Sequence, residues 1–175
     1  MKISPWLGAA ACASALLLGG CAGSYGSAST YVGADARLLQ RMDSVMRQAT
    51  PGMPVSLRLA ADQVSTGDAI GADIGAATGG YAYLFQVATD ASTLNLVFPN
   101  AIDGANYVAP GAHLLLPRPN WRMSARGPAG VGHLLAVVSD KPLDLMALQT
   151  GAALGQLEVR APYGAAMATL REVAR

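Results

Sequence analysis

A serine or cysteine hydrolase needs a nucleophile, a base to take its proton and an acid to orient that base. The bases in this chain are two, His113 and His133. His113 lies inside an apolar run and His133 opens another, which predicts a structural or surface imidazole at each position. No serine occupies the Gly-x-Ser-x-Gly turn that lifts a nucleophile above a sheet. A zinc centre needs three or four His, Cys, Asp or Glu ligands, and two scattered histidines among isolated acids do not suggest one. Residues 71–75 (GADIG) and 127–132 (GPAGVG) are rich in backbone amides that could cradle phosphate. Neither precedes a helix or carries a lysine, so they read as a small-residue strand and a tight turn. No catalytic residue, cofactor or metal is expected.

Binding is the chemistry left to such a chain. The segment 99–110 holds Asn100, Asp103, Asn106 and Tyr107, a set able to hydrogen-bond and to bury one ring, and these four are the candidate partner contacts. Tyr81, Tyr83, Phe85, Phe98 and Trp121 fall at strand spacing, where large rings supply core energy. The alternative use of such rings is a stacking platform for carbohydrate, with Tyr31, Tyr107 or Trp121 exposed beside polar groups.

Twelve Lys and Arg against eleven Asp and Glu, with no charge run, lack the electrostatic footprint of a nucleic-acid binder. The 52% hydrophobic content leans on Ala, and no stretch beyond the N-terminus is continuously apolar for the ~20 residues that span a bilayer. Lys2 followed by the apolar run 6–18 reads as an export signal. It ends in Leu18-Gly19-Gly20-Cys21, which resembles the bacterial lipobox. That resemblance implies cleavage before Cys21, lipid attachment to it and, with Ala22 rather than aspartate after it, sorting to the outer membrane on the periplasmic side. Cys12 leaves with the signal, so no intramolecular disulfide remains and about 155 residues must hold together by packing. Residues 21–33 form the lipidated cysteine and a Gly/Ser-rich tether.

The elements that must position these groups follow from periodicity. Residues 34–53 are predicted as a helix, with Leu38, Leu39, Met42, Val45 and Met46 at helical spacing before Pro51-Gly52. From Val55 the period changes to two. Strands are expected at 55–59, 70–74, 81–87, 94–98, 112–116, 120–125, 133–138 and 156–160, with Leu94, Leu96 and Phe98 on one face. This predicts a mainly β fold, a β-sandwich of seven to eight short strands over 54–161. A helix over 141–148, capped by Ser139 or Asp140, and a C-terminal helix within 162–175 carrying Met167, Leu170 and Val173 complete the expectation.

Gly80-Tyr81-Ala82-Tyr83-Leu84, Leu96-Val97-Phe98-Pro99-Asn100, Leu116-Pro117 and Gly127-Pro128-Ala129-Gly130, followed by the apolar run 134–138, occur in that order. Through them, residues 67–145 resemble the bacterial domain-of-unknown-function family 4384 (DUF4384). The chain departs from its usual Asp-Gly turn after the Tyr-rich strand, offering Thr89-Asp90-Ala91-Ser92. The resemblance implies a small β module, found alone in exported proteins or fused to bacterial protein kinases and caspase-like peptidases, with an accessory or recognition role and no catalytic residue to carry over.

The expectation is therefore a lipid-anchored, non-enzymatic envelope protein that binds another envelope protein and neither nucleic acid nor metal. The alternatives are a module for peptidoglycan or another glycan, and a hydrolase in which His113 or His133 meets a Ser and an Asp in one cleft.

Overall fold

The computed structural model describes residues 36–87, 89–90 and 92–175. The signal segment, Cys21, the tether and Tyr31 lie outside the described residues. In chain order the elements are α1 (Ala36–Arg47), β1 (Val55–Leu59), β2 (Gln63–Ser65), β3 (Ala72–Ala76), β4 (Gly80–Val87), β5 (Leu94–Phe98), β6 (Tyr107–Val108), β7 (His113–Leu116), β8 (Gly130–Ser139), α2 (Leu145–Ala153) and β9 (Tyr163–Val173). The fold is mainly β, a sandwich of two sheets. One sheet runs β1-β3-β7; the other runs β2-β9-β8-β4-β5, with β6 also on β4.

Side-chain parity builds the layers. In the antiparallel β4–β8 and β8–β9 ladders, even-numbered residues oppose even-numbered ones. One face of the large sheet therefore gathers Ala82, Leu84, Leu134, Ala136, Val138 and Leu170, and the other gathers Tyr83, Phe85, Val87, Leu135, Val137 and Tyr163. The first face packs on the small sheet through Ile74, Leu114 and Leu116, with Val55, Leu57 and Leu59 at its margin. The second is roofed by Leu38, Met42 and Val45 of α1 and by Leu148 and Ala152 of α2. Burial on both faces explains why β4 and β8 read as nearly unbroken apolar runs.

A bulge on β5 sorts three apolar residues that the alternation placed together. The register shifts between Leu84 and Phe85, so that Leu94 opposes Val87 and Leu96 opposes Phe85 while Phe98 opposes Leu84. Val97 is the extra residue. Leu94 and Leu96 turn to the helices, and Phe98 turns into the sandwich.

Helix α1 begins within the expected span and buries one stripe, Leu38, Met42 and Val45. The Tyr163 hydroxyl docks it by donating to the Val45 carbonyl at 2.7 Å. Burial pushes that phenol's pKa up, against an opposing pull from Arg41. Helix α2 starts later than expected: Asp144 caps it, its Oδ1 accepting from the amides of Met146 at 2.9 Å and Ala147 at 3.1 Å. Neither Ser139 nor Asp140 is the cap: Ser139 ends β8 with its Oγ donating to the Lys141 carbonyl, and the Asp140 amide donates to the Pro162 carbonyl.

The expected C-terminal helix is instead the strand β9, which extends the sandwich beyond residue 161. The spacing of Met167, Leu170 and Val173 fits a helix locally, but β9 pairs with β8 along ten successive positions and with β2 on its other edge. Tertiary pairing overrides the helical preference of an alanine-rich segment. Its small residues have a steric reason: a Cβ at Gly164 would run into the Met53 carbonyl.

Two further expected strands are extended chain without a ladder. Segment 120–125 buries Met123 and Ala125 with the foreseen parity, yet it contributes a single bridge, Ala69 to Ser124, and hydrogen bonds to 67–70 as a strap. Segment 156–160 buries Leu157 beneath the helices and pairs with no strand. Short strands β2 and β6 were not foreseen, three and two residues being too few to show alternation.

Candidate functional site

The loop between β5 and β7 organises itself around Asn100. Its Oδ1 accepts from the amides of Ile102 and Asp103, both at 3.0 Å, and its Nδ2 donates to the Val97 carbonyl at 3.2 Å. An asparagine side chain that closes a turn on its own following backbone is common turn chemistry. Asn106 does a second internal task. Its Nδ2 donates to the Ala82 carbonyl at 3.2 Å and its carbonyl accepts the Ala82 amide at 2.8 Å, serving the stretch of β4 that lies between the β6 and β5 ladders.

Asp103 is the loop's buried acid, 5% exposed. Arg118 donates to its Oδ1, and the Trp121 indole N–H donates to its Oδ2 at 3.1 Å. Arg118 also donates to the Ala105 carbonyl at 2.8 Å. A buried carboxylate held by a guanidinium and an indole is fully engaged, and removal of either partner would leave desolvated charge. Trp121 in turn lies parallel to Phe98, ring centroids 6.5 Å apart at 4°.

Of the four expected contact residues, Asn100, Asp103 and Asn106 thus direct polar atoms inward. Tyr107 is open, 59% exposed, with its ring set edge-on to Tyr81 at 5.4 Å. Because Tyr107 opposes Tyr81 in the ladder, and Tyr81 shares parity with Tyr83 and Phe85, Tyr107 stands on the helix-bearing face of the large sheet. That face carries further apolar side chains in solvent: Leu145, Met146 and Leu154 from α2 and its end, with Met146 76% exposed. A cavity of about 410 Å³ lined by Leu143, Ala147, Leu154 and Glu158 lies beside them. Sequence reasoning missed this patch. Helix α2 is apolar nearly all round, a pattern that signals burial on more than one side and here has only one side covered.

The two histidines lie apart. His113 sits on the outer face of the small sheet, its Nδ1 2.8 Å from Asp73 Oδ1. Gly75 lies in register between Ser56 and His113, and a Cβ there would meet Ser56 Oγ at 2.6 Å and the imidazole at 3.1 Å. Ser56, His113 and Asp73 therefore neighbour one another, the trio that hydrolytic chemistry would require. The imidazole is hydrogen-bonded to Asp73, as such a trio needs, but among the described residues no bond joins it to Ser56. His113 is also more than half exposed, so water is not kept from it. His133 ends the β4–β8 ladder opposite Val87, with a buried Nδ1 that finds no partner among the described residues; burial lowers its pKa below 6.5. Among the described residues no three His, Cys, Asp or Glu side chains gather as a metal site.

Both glycine-rich segments are structural. Residues 72–75 lie in β3, and Gly127 takes a positive φ of 67° at the turn into Pro128, its amide donating to Glu172 Oε2 at 2.8 Å. The motifs that carried the resemblance now have places: the Tyr-rich run is β4, Phe98-Pro99-Asn100 joins the bulged strand to the Asn100 turn, and Gly127-Pro128 leads into β8. No curated protein and no solved structure matches the chain. Residues 63–142, from β2 to just past β8, match the model of a family described as a domain of unknown function, DUF4384.

Proposed function

We propose that this protein is a lipid-anchored module of the bacterial outer membrane, facing the periplasm, which holds another envelope protein and performs no catalysis itself. The single observation that carries the reading is that Tyr107, Leu145, Met146 and Leu154, large apolar side chains on the helix-bearing side of the sheet, stand in solvent. Large apolar and aromatic groups in water on one face mark interaction surfaces. The rigid loop beneath Tyr107 supports the reading, since an anchor already fixed in place loses little freedom on binding. The export signal and Cys21 supply the address, and among the described residues no helix is long and apolar enough to cross a membrane.

A photo-reactive residue placed at position 107 or 146 in cells should give a discrete protein adduct, and one at Ser56, on the far side of the sandwich, should give none. Equal adducts from Ser56 would sink the reading. Tyr107→Ala with Met146→Glu should abolish the adduct made from position 154 while leaving the urea midpoint in place. Cys21→Ser should move the protein from the membrane pellet to the soluble fraction after a high-salt wash. A serine variant that still pellets would show another attachment.

A further inference from the structure

We propose that the open end of the sandwich, on the side of the large sheet turned away from the helices, is a saccharide-binding cleft built around Trp121. There the strap 121–127 crosses the large sheet and leaves a cleft of about 320 Å³. Trp121 is a prepared surface. Its ring lies parallel to Phe98 with centroids 6.5 Å apart, its N–H is held by Asp103, and it lines the cleft while Phe98 does not. An aromatic plane fixed this way offers the apolar C–H face of a pyranose a partner at little entropic cost.

The rest of the wall is polar. Gln86 and Asn95, paired across β4 and β5, point to the same side of the sheet, and Ser124 and Arg126 come from the strap. Glu172 arrives from β9 with 2% exposure. Its Oε2 accepts the Gly127 amide, which uses one of the several acceptor positions of a carboxylate. With Asp90, Thr93 and Arg122 the wall holds two side-chain amides, two hydroxyls, two carboxylates and two guanidiniums beside one indole, a set that complements a chain of hydroxyls, each of which both donates and accepts. An apolar ligand would strip these groups of water without replacing their hydrogen bonds. A phosphate or sulfate would meet the carboxylates of Asp90 and Glu172, which offset the charges of Arg122 and Arg126. The volume, at the lower end of ligand pockets, fits about one or two sugar rings. The cleft lies on the opposite side of the large sheet from Tyr107 and α2, so it stands independently of the protein-binding surface.

The test uses the full chain with Trp6→Phe, which leaves Trp121 as its single indole. Chitotetraose, cellotetraose and maltotetraose are titrated against indole emission, with inorganic phosphate as the anion control. At least one tetrasaccharide should give a saturable change that phosphate does not. Asn95→Ala and Arg126→Ala, both at exposed positions, should each weaken it about fivefold, the worth of one hydrogen bond. Trp121→Phe keeps a ring on Phe98 and, followed by calorimetry, should weaken binding with the fold retained. A flat response to all three sugars overturns the proposal. So does a phosphate response equal to theirs, or sugar binding that both alanine variants leave unchanged.

Discussion

Asp103 shows what a residue type can and cannot announce. An acid in a loop of Asn, Gly and Tyr reads as a surface contact. Nothing in its neighbourhood says that Arg118 and Trp121, fifteen and eighteen residues on, will close over it. Aromatic residues are more legible, because strand parity alone places Phe85 inside, and it is fully buried. Phe85→Ala should cost about 3–5 kcal/mol in a urea titration. Trp121→Ala should cost less, its ring being half-buried, although the loss would leave Asp103 Oδ2 without its donor. His133 makes a prediction in pH. Burial lowers its pKa in the folded chain below the 6.5 of the unfolded one. Between those values the unfolded chain binds more protons, so stability rises with pH across that window, is fully present above 6.5 and is lost as pH falls through it. The urea midpoint should therefore drop on acidification below 6.5, and His133→Gln should flatten that part of the profile. A slope unchanged by the variant would assign it to other groups.

Among the elements, those with a strong period were legible: α1 from its single apolar stripe, and β1, β4, β5, β7 and β8 from alternation or unbroken apolar runs. The failures share one cause, that a partner distant in sequence decided the outcome. The bulge that turns Phe98 away from Leu96 is set by β4 and is invisible in β5 alone. Met123 and Ala125 alternate as in a strand but face turn backbone at 67–70, which supports a strap. β9 is the clearest case, since alanine suits a helix when alone and a tight interlayer space when paired. Gly164→Val tests that space. The branched side chain has to displace the Met53 carbonyl, and the domain should lose about 1–3 kcal/mol in urea. Thr169→Val, exposed on the same strand, should change stability by less than about 0.5 kcal/mol.

At the scale of the molecule, the match to DUF4384 and the folded unit do not coincide. Residues 63–142 hold β2 through β8, whereas β1, β9 and both helices lie outside the match. In the large sheet β9 stands between β2 and β8, so the matched segment alone would leave the β8 edge bare and one core face unroofed. A fragment of residues 63–142 should accordingly lack the dispersed amide spectrum and slow hydrogen exchange expected of the longer chain. A well-dispersed fragment spectrum would mean that the matched segment rearranges its sheet. The same strand order has a consequence for biogenesis. A ribosome, or an export channel delivering the chain from its N-terminus, releases β2 and β8 before the strand that belongs between them. Until Tyr163–Val173 has emerged, β8 offers an unpaired, largely apolar edge on which any extended segment, including the β9 of a second copy, can take the vacant place. The interval between the appearance of β8 and that of β9 is when this protein most needs a holding chaperone.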